Sequence, residues 1–142
     1  MDEDKLLRIV AVLSVVLGTL HMADDVLHFQ PGLAPGHWQA TGGATSLVVI
    51  PIFVVFLYGA TVLAGRRSGY VIVLVGSLLS ATMCVVHLIN ARFQGGEIAK
   101  ASSTFFFVWG LFAIGVTGAF GAVLAARGLW RSRAAATSPS RS

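Results

Sequence analysis

The sequence predicts an all-α membrane protein, a bundle of four transmembrane helices arranged as two parallel-repeated helical hairpins. Three observations predict it. Of 142 residues, 56% are hydrophobic and only 11% charged, where a soluble domain carries roughly 25% charged residues. The mean hydropathy is +0.81. Two long stretches, from Asp25 to Arg66 and from Lys100 to Arg127, contain no Asp, Glu, Lys or Arg between their ends. Each exceeds the roughly 20 apolar residues that cross a hydrocarbon core. The third observation is an internal echo, in which segments of the first half recur in order in the second.

The four helices are expected at about 6–29, 44–65, 70–91 and 104–127. The first carries a polar cluster, "HMADDVLHF" at 21–29, behind an apolar run. Ile9 to Leu20 alone would rise only about 18 Å at 1.5 Å per residue, short of a core of roughly 30 Å. To span, the helix must run on through His21, Asp24 and Asp25 to about His28. The second helix contains Pro51, which would bend it and free the carbonyl of Leu47. The third offers the small pairs Gly76/Ser80 and Ser77/Ala81, and the fourth Gly115/Ala119 and Gly118/Ala122. Such pairs let helix backbones approach closely. They serve packing within the chain first, and contact with a second copy or a membrane-protein partner second. The membrane domain therefore covers 1–130, and "RSRAAATSPSRS" at 131–142 reads as a disordered basic tail.

Basic residues set the direction. Lys5, Arg8, Arg66, Arg67, Arg127, Arg131, Arg133 and Arg141 fall on one side of a four-crossing chain, Arg92 and Lys100 on the other. The positive-inside rule places both termini in the cytoplasm of a bacterial-type inner membrane. The start, "MDEDKLLR", is as acidic as it is basic and no small-residue cleavage site follows, so it does not read as a cleavable signal peptide. A single cysteine, Cys84, excludes an internal disulfide. The pI near 10 reflects these topological arginines, so the bilayer and not nucleic acid is the expected partner.

The echo pairs "FQPG" at 29–32 with "FQGG" at 93–96, and "YGATVLAGR" at 58–66 with "FGAVLAAR" at 120–127. Between these anchors His21-x-x-Asp24 has a counterpart in His87-x-x-Asn90. A parallel duplication would relate the hairpins by a pseudo-twofold axis along the membrane normal. The outer ends of helices one and three would then face each other. All four histidines (21, 28, 37 and 87) fall toward the extracytoplasmic side, with Asp24, Asp25, Asn90 and Glu97.

On a helix, His21, Asp24, Asp25 and His28 form one stripe. Imidazole and carboxylate together suit a divalent transition metal, so His21, Asp24, Asp25 and His87 are the candidate ligands, with His28 and Asn90 as further candidates. Haem ranks behind a divalent metal, because the paired carboxylates add charge that an axially ligated iron does not need. The leading functional reading is a small inner-membrane protein that binds a cation or small ligand and acts as a binding, sensing or accessory subunit. Two alternatives stand beside it. One is an enzyme, either a metal-dependent membrane hydrolase with Asp25 as base or a haem or quinone redox protein. The other is a purely structural partner subunit. No nucleophile elbow, phosphate loop or dinucleotide fingerprint occurs.

Overall fold

The chain is described by a computed structural model covering residues 2–27, 42–93 and 104–137. Among these residues all regular structure is helical, in four elements: α1 (Glu3–Leu27), α2 (Gly42–Thr61), α3 (Arg67–Phe93) and α4 (Thr104–Thr137). Three contain segments long and apolar enough to cross a membrane: Glu3–Ala23, Arg67–Val86 and Val108–Ala134. In α2 the described apolar run is shorter, Val48–Thr61.

Around the bundle, α1 packs on α2 and α4, and α3 packs on α2 and α4. Among the described residues α2 and α4 do not meet, and α1 and α3 barely touch. Helices one and three thus lie across a diagonal. The two hairpins are unequal, with α3–α4 much the most extensive contact and α1–α2 far slighter.

Buried positions follow heptad-like seams. In α4, Leu111, Ile114, Gly118, Gly121, Ala125 and Gly128 are buried at alternating spacings of three and four. In α3 the seam is Tyr70, Val73, Ser77 and Cys84, and in α1 it is Leu7, Ala11 and Ser14. This is the spacing that keeps one helical face toward a partner when helices cross at a shallow angle. The opposite faces are not polar. Ile9, Val12 and Val16 on α1, Val54 and Val55 on α2, Val71, Val75 and Leu78 on α3, and Phe112, Val116 and Val123 on α4 are all exposed. Apolar residues on the outside of every helix are the pattern of a bundle solvated by lipid.

In such a solvent the helices gain little from apolar burial as such, and close packing carries the association. Glycine supplies the closeness. A Cβ on Gly118 would sit 2.8 Å from both the Ala81 nitrogen and the Ser77 carbonyl oxygen, and one on Gly115 would sit 2.8 Å from Cys84 Sγ. Gly18 of α1 admits the Phe53 ring of α2, and Gly76 of α3 admits Phe56. Hydroxyls are accommodated by bonding back to their own helix. Ser14, Thr19, Thr61, Ser80, Thr82 and Thr117 each donate to the carbonyl four residues earlier, so they need no water in an apolar setting.

Helix ends differ from the sequence expectation in two places. The second helix stops at Thr61, four residues before Gly65, because 62–66 forms a tight turn. Gly65 carries φ of 76° there, a left-handed conformation that disfavours side chains. Gly69 then passes so near the carbonyls of Leu63 and Gly59 that no Cβ fits. The fourth helix continues past Arg127, through residues expected in a disordered tail, to Thr137. Its extra turns contain Ala134, Ala135 and Ala136, strong helix formers, and Arg131 is tied to α1.

Candidate functional site

Two polar regions stand at opposite ends of the bundle. The first is the one the sequence singles out. Helix α1 runs unbroken to Leu27, so His21, Asp24 and Asp25 occupy a single continuous helix at i, i+3 and i+4. The interior seam Leu7–Ala11–Ser14 extends at the same alternation through Gly18 to His21. His21 is half-buried, with both ring nitrogens shielded from solvent. It lies one turn beyond Gly18, where Phe53 of α2 closes on α1. It therefore belongs to the packed face of α1 and not to the apolar outer face marked by Val16 and Leu20.

Helix α3 likewise runs unbroken to Phe93, carrying Cys84, His87 and Asn90 on one continuous helix. Cys84 is buried with Leu111 in a small apolar cluster between α3 and α4, so its thiol fills the groove over Gly115. His87 follows Cys84 by three residues on the same helix. The side chains of Asp24, Asp25, His87 and Asn90 lie outside the described side chains, and His28, His37, Glu97 and Lys100 lie outside the described residues. Among the described residues no group of three or more His, Cys, Asp or Glu side chains could hold a metal ion.

Electrostatics at this end follow from the backbone. The C-terminal end of a helix carries roughly half a negative charge. The last turns of α1 hold Asp24 and Asp25 and no basic residue. Two carboxylates at the negative end of a dipole repel both it and each other. A cation, a proton or an opposed imidazolium relieves that repulsion.

The second polar region, at the other end, was not anticipated from sequence. In the sequence the acids of "MDED" serve only to argue against a cleavable signal peptide. In the structure they organise three helices. Asp2 caps α1, its carboxylate accepting from the Asp4 backbone N–H at 3.2 Å, and its carbonyl accepting from Leu6 N–H at 3.0 Å. Glu3 bridges Arg127 at 2.9 Å and Arg131 at 3.0 Å, both from α4. Asp4 accepts from the Tyr70 hydroxyl of α3 at 2.6 Å, and Arg131 lies 3.9 Å from it. The Tyr70 ring covers Gly128. Here the α2–α3 turn also approaches, a Cβ on Gly65 falling 3.7 Å from the Asp4 carboxylate. The N-terminus of α1, the 62–66 turn and the end of α4 therefore share one end of the bundle. A sequence signal existed, in that the acids at 2–4 fall at the same end as the α4 arginines in an antiparallel bundle.

The main core, formed by Leu7, Val10, Ala11, Phe56, Ala60, Tyr70, Val73, Leu124 and Ala125, sits against the charged clamp. Toward the histidine end, the described buried cluster is only Cys84 with Leu111. Comparison of the chain with known protein families, curated proteins and solved structures finds no match.

Proposed function

We propose that this chain is a small four-crossing protein of a bacterial-type inner membrane, with both termini cytoplasmic. Its extracytoplasmic end holds a His/Asp site that binds a cation or small ligand, and the protein serves as a binding, sensing or accessory subunit. The observation that carries the reading is the position of His21, on the packed seam of α1 and one turn before Asp24 and Asp25 at the helix's negative end. An ionisable group inside an apolar bundle is costly, about 2.5–3.5 kcal/mol for Asp at a membrane centre and less near its edge. Two carboxylates and an imidazole together in the last turns of one helix suit a bound cation, which would offset that cost and the dipole at once.

In this reading His21, Asp24 and Asp25 come from α1 and His87 from α3, with His28 and Asn90 as supplementary donors. The diagonal placement of α1 and α3 suits a duplicated hairpin whose two copies each contribute one histidine. The glycines Gly115, Gly118 and Gly121 already face α3 within the chain, so a second copy or partner subunit would dock more readily elsewhere.

Metal analysis of the detergent-purified protein, with an absorption spectrum on the same sample, tests the reading. A near-stoichiometric divalent metal lost in both His21→Ala and His87→Ala is expected. A metal-free and colourless preparation that also fails to take up zinc, copper, nickel or iron on titration would remove it.

A further inference from the structure

The charged end has a division of labour among its basic residues. Seven described cations gather there (Lys5, Arg8, Arg66, Arg67, Arg127, Arg131 and Arg133) with three acids (Asp2, Glu3 and Asp4), an excess of four positive charges. Two of the acids are engaged within the bundle. Glu3 holds Arg127 and Arg131, and Asp4 is held by Tyr70. Lys5, Arg8, Arg66 and Arg67 are all exposed, on the first turns of α1 and at the α2–α3 turn, where a Cβ added to Gly65 would fall 3.7 Å from the Asp4 carboxylate. Trp130, 77% exposed, stands on α4 next to Arg131 in sequence, an amphipathic indole of the kind that lies among headgroups.

We propose that Lys5, Arg8, Arg66 and Arg67, with Trp130 as the interfacial anchor, form a docking collar for anionic phospholipid headgroups. The inference rests on the reading that α1, α3 and α4 cross a bilayer. Its specific content is which arginines bind lipid and which do not. Arg127 and Arg131 close the bundle through Glu3, while Arg8, Arg66 and Arg67 present their guanidinium groups to lipid phosphate, to which two parallel N–H donors fit. The acidic start of the chain thus sorts one basic patch into a structural half and a lipid-facing half.

Native mass spectrometry of the full chain in mild detergent, with phosphatidylglycerol or phosphatidylcholine added at equal concentration, tests the collar. Phosphatidylglycerol adducts should dominate and weaken with added salt. In the triple variant Arg8→Gln/Arg66→Gln/Arg67→Gln their affinity should fall on the order of 10- to 100-fold, with the melting temperature kept. Arg92→Gln, at the far end of α3, should bind as wild type does. Equal binding of the two lipids, salt-independent binding, displacement by inorganic phosphate at the same concentration, or unchanged binding in the triple variant would each overturn the proposal. Should the triple variant not fold, the salt dependence and lipid preference of the wild type still decide it. Release of the chain from membranes by alkaline carbonate would instead refute the bilayer reading itself.

Discussion

Replacing Gly118 with alanine isolates the close approach of α3 and α4. The added methyl would lie 2.8 Å from the Ala81 nitrogen and the Ser77 carbonyl oxygen and 3.0 Å from Ser80 Cβ. Two of these three are backbone atoms of α3, which no rotamer change can move aside. The helices must separate by several tenths of an ångström along their most extensive contact. Overpacking of this kind costs typically about 1–3 kcal/mol, against a gain in helix propensity of about 1 kcal/mol for Gly to Ala. The net expectation is a loss of up to about 2 kcal/mol. Gly110, on the same helix, has nothing within 4 Å of its Cβ position, so Gly110→Ala meets only the propensity gain. Thermal unfolding of both variants in one detergent, followed by circular dichroism, should show Gly118→Ala melting several degrees below wild type and Gly110→Ala at or above it. If the two variants shift alike, the close α3–α4 packing described here is refuted.

Other perturbations read different parts of the structure. Gly65→Ala forces a side chain into a left-handed turn and should cost about 1–2 kcal/mol in the same melt, whereas Gly65→Asn should lose less. Glu3→Gln removes the charge that joins Arg127 and Arg131. Since Arg127 is 64% and Arg131 53% exposed in the side chain, the stability change should stay within about 1 kcal/mol and should shrink with added salt. Asp4→Ala leaves the Tyr70 hydroxyl, which donates to that carboxylate, without its acceptor and should cost about 1–3 kcal/mol, while Tyr70→Phe combined with Asp4→Ala should restore part of the loss.

The apolar helices were legible in the sequence because a bilayer demands long uncharged runs and leaves little choice about what they form. Their seams were less so. An apolar residue on the lipid face and one in the core look alike, so hydropathy cannot tell Leu20, exposed, from Leu7, buried. Glycine was the better guide. Gly115 and Gly118 do mark the α3 contact, because only the absence of a Cβ permits that distance; Ala119, paired with Gly115 by spacing, is exposed. The end of α2 was misread since "YGATVLAG" continues an apolar pattern while its backbone turns at Thr61, and the glycine at 65 was the sign of it. The start of the tail was read as disordered, whereas residues 131–137 continue the helix, with its alanines and the reach of Arg131 to Glu3. Of the candidate site, the sequence could place His21, Asp24 and Asp25 on one helix, but the inward aim of His21 required the packing of Phe53 on Gly18.

The most direct test of the account is a double-mutant cycle on His21→Ala and His87→Ala, read as stability in one detergent with the bound ligand or metal present. A shared site predicts that the two losses fail to add, with an interaction energy above about 0.5 kcal/mol. Losses that add within about 0.3 kcal/mol, together with ligand retained in either single variant, would place the two histidines in separate environments and contradict the proposed site.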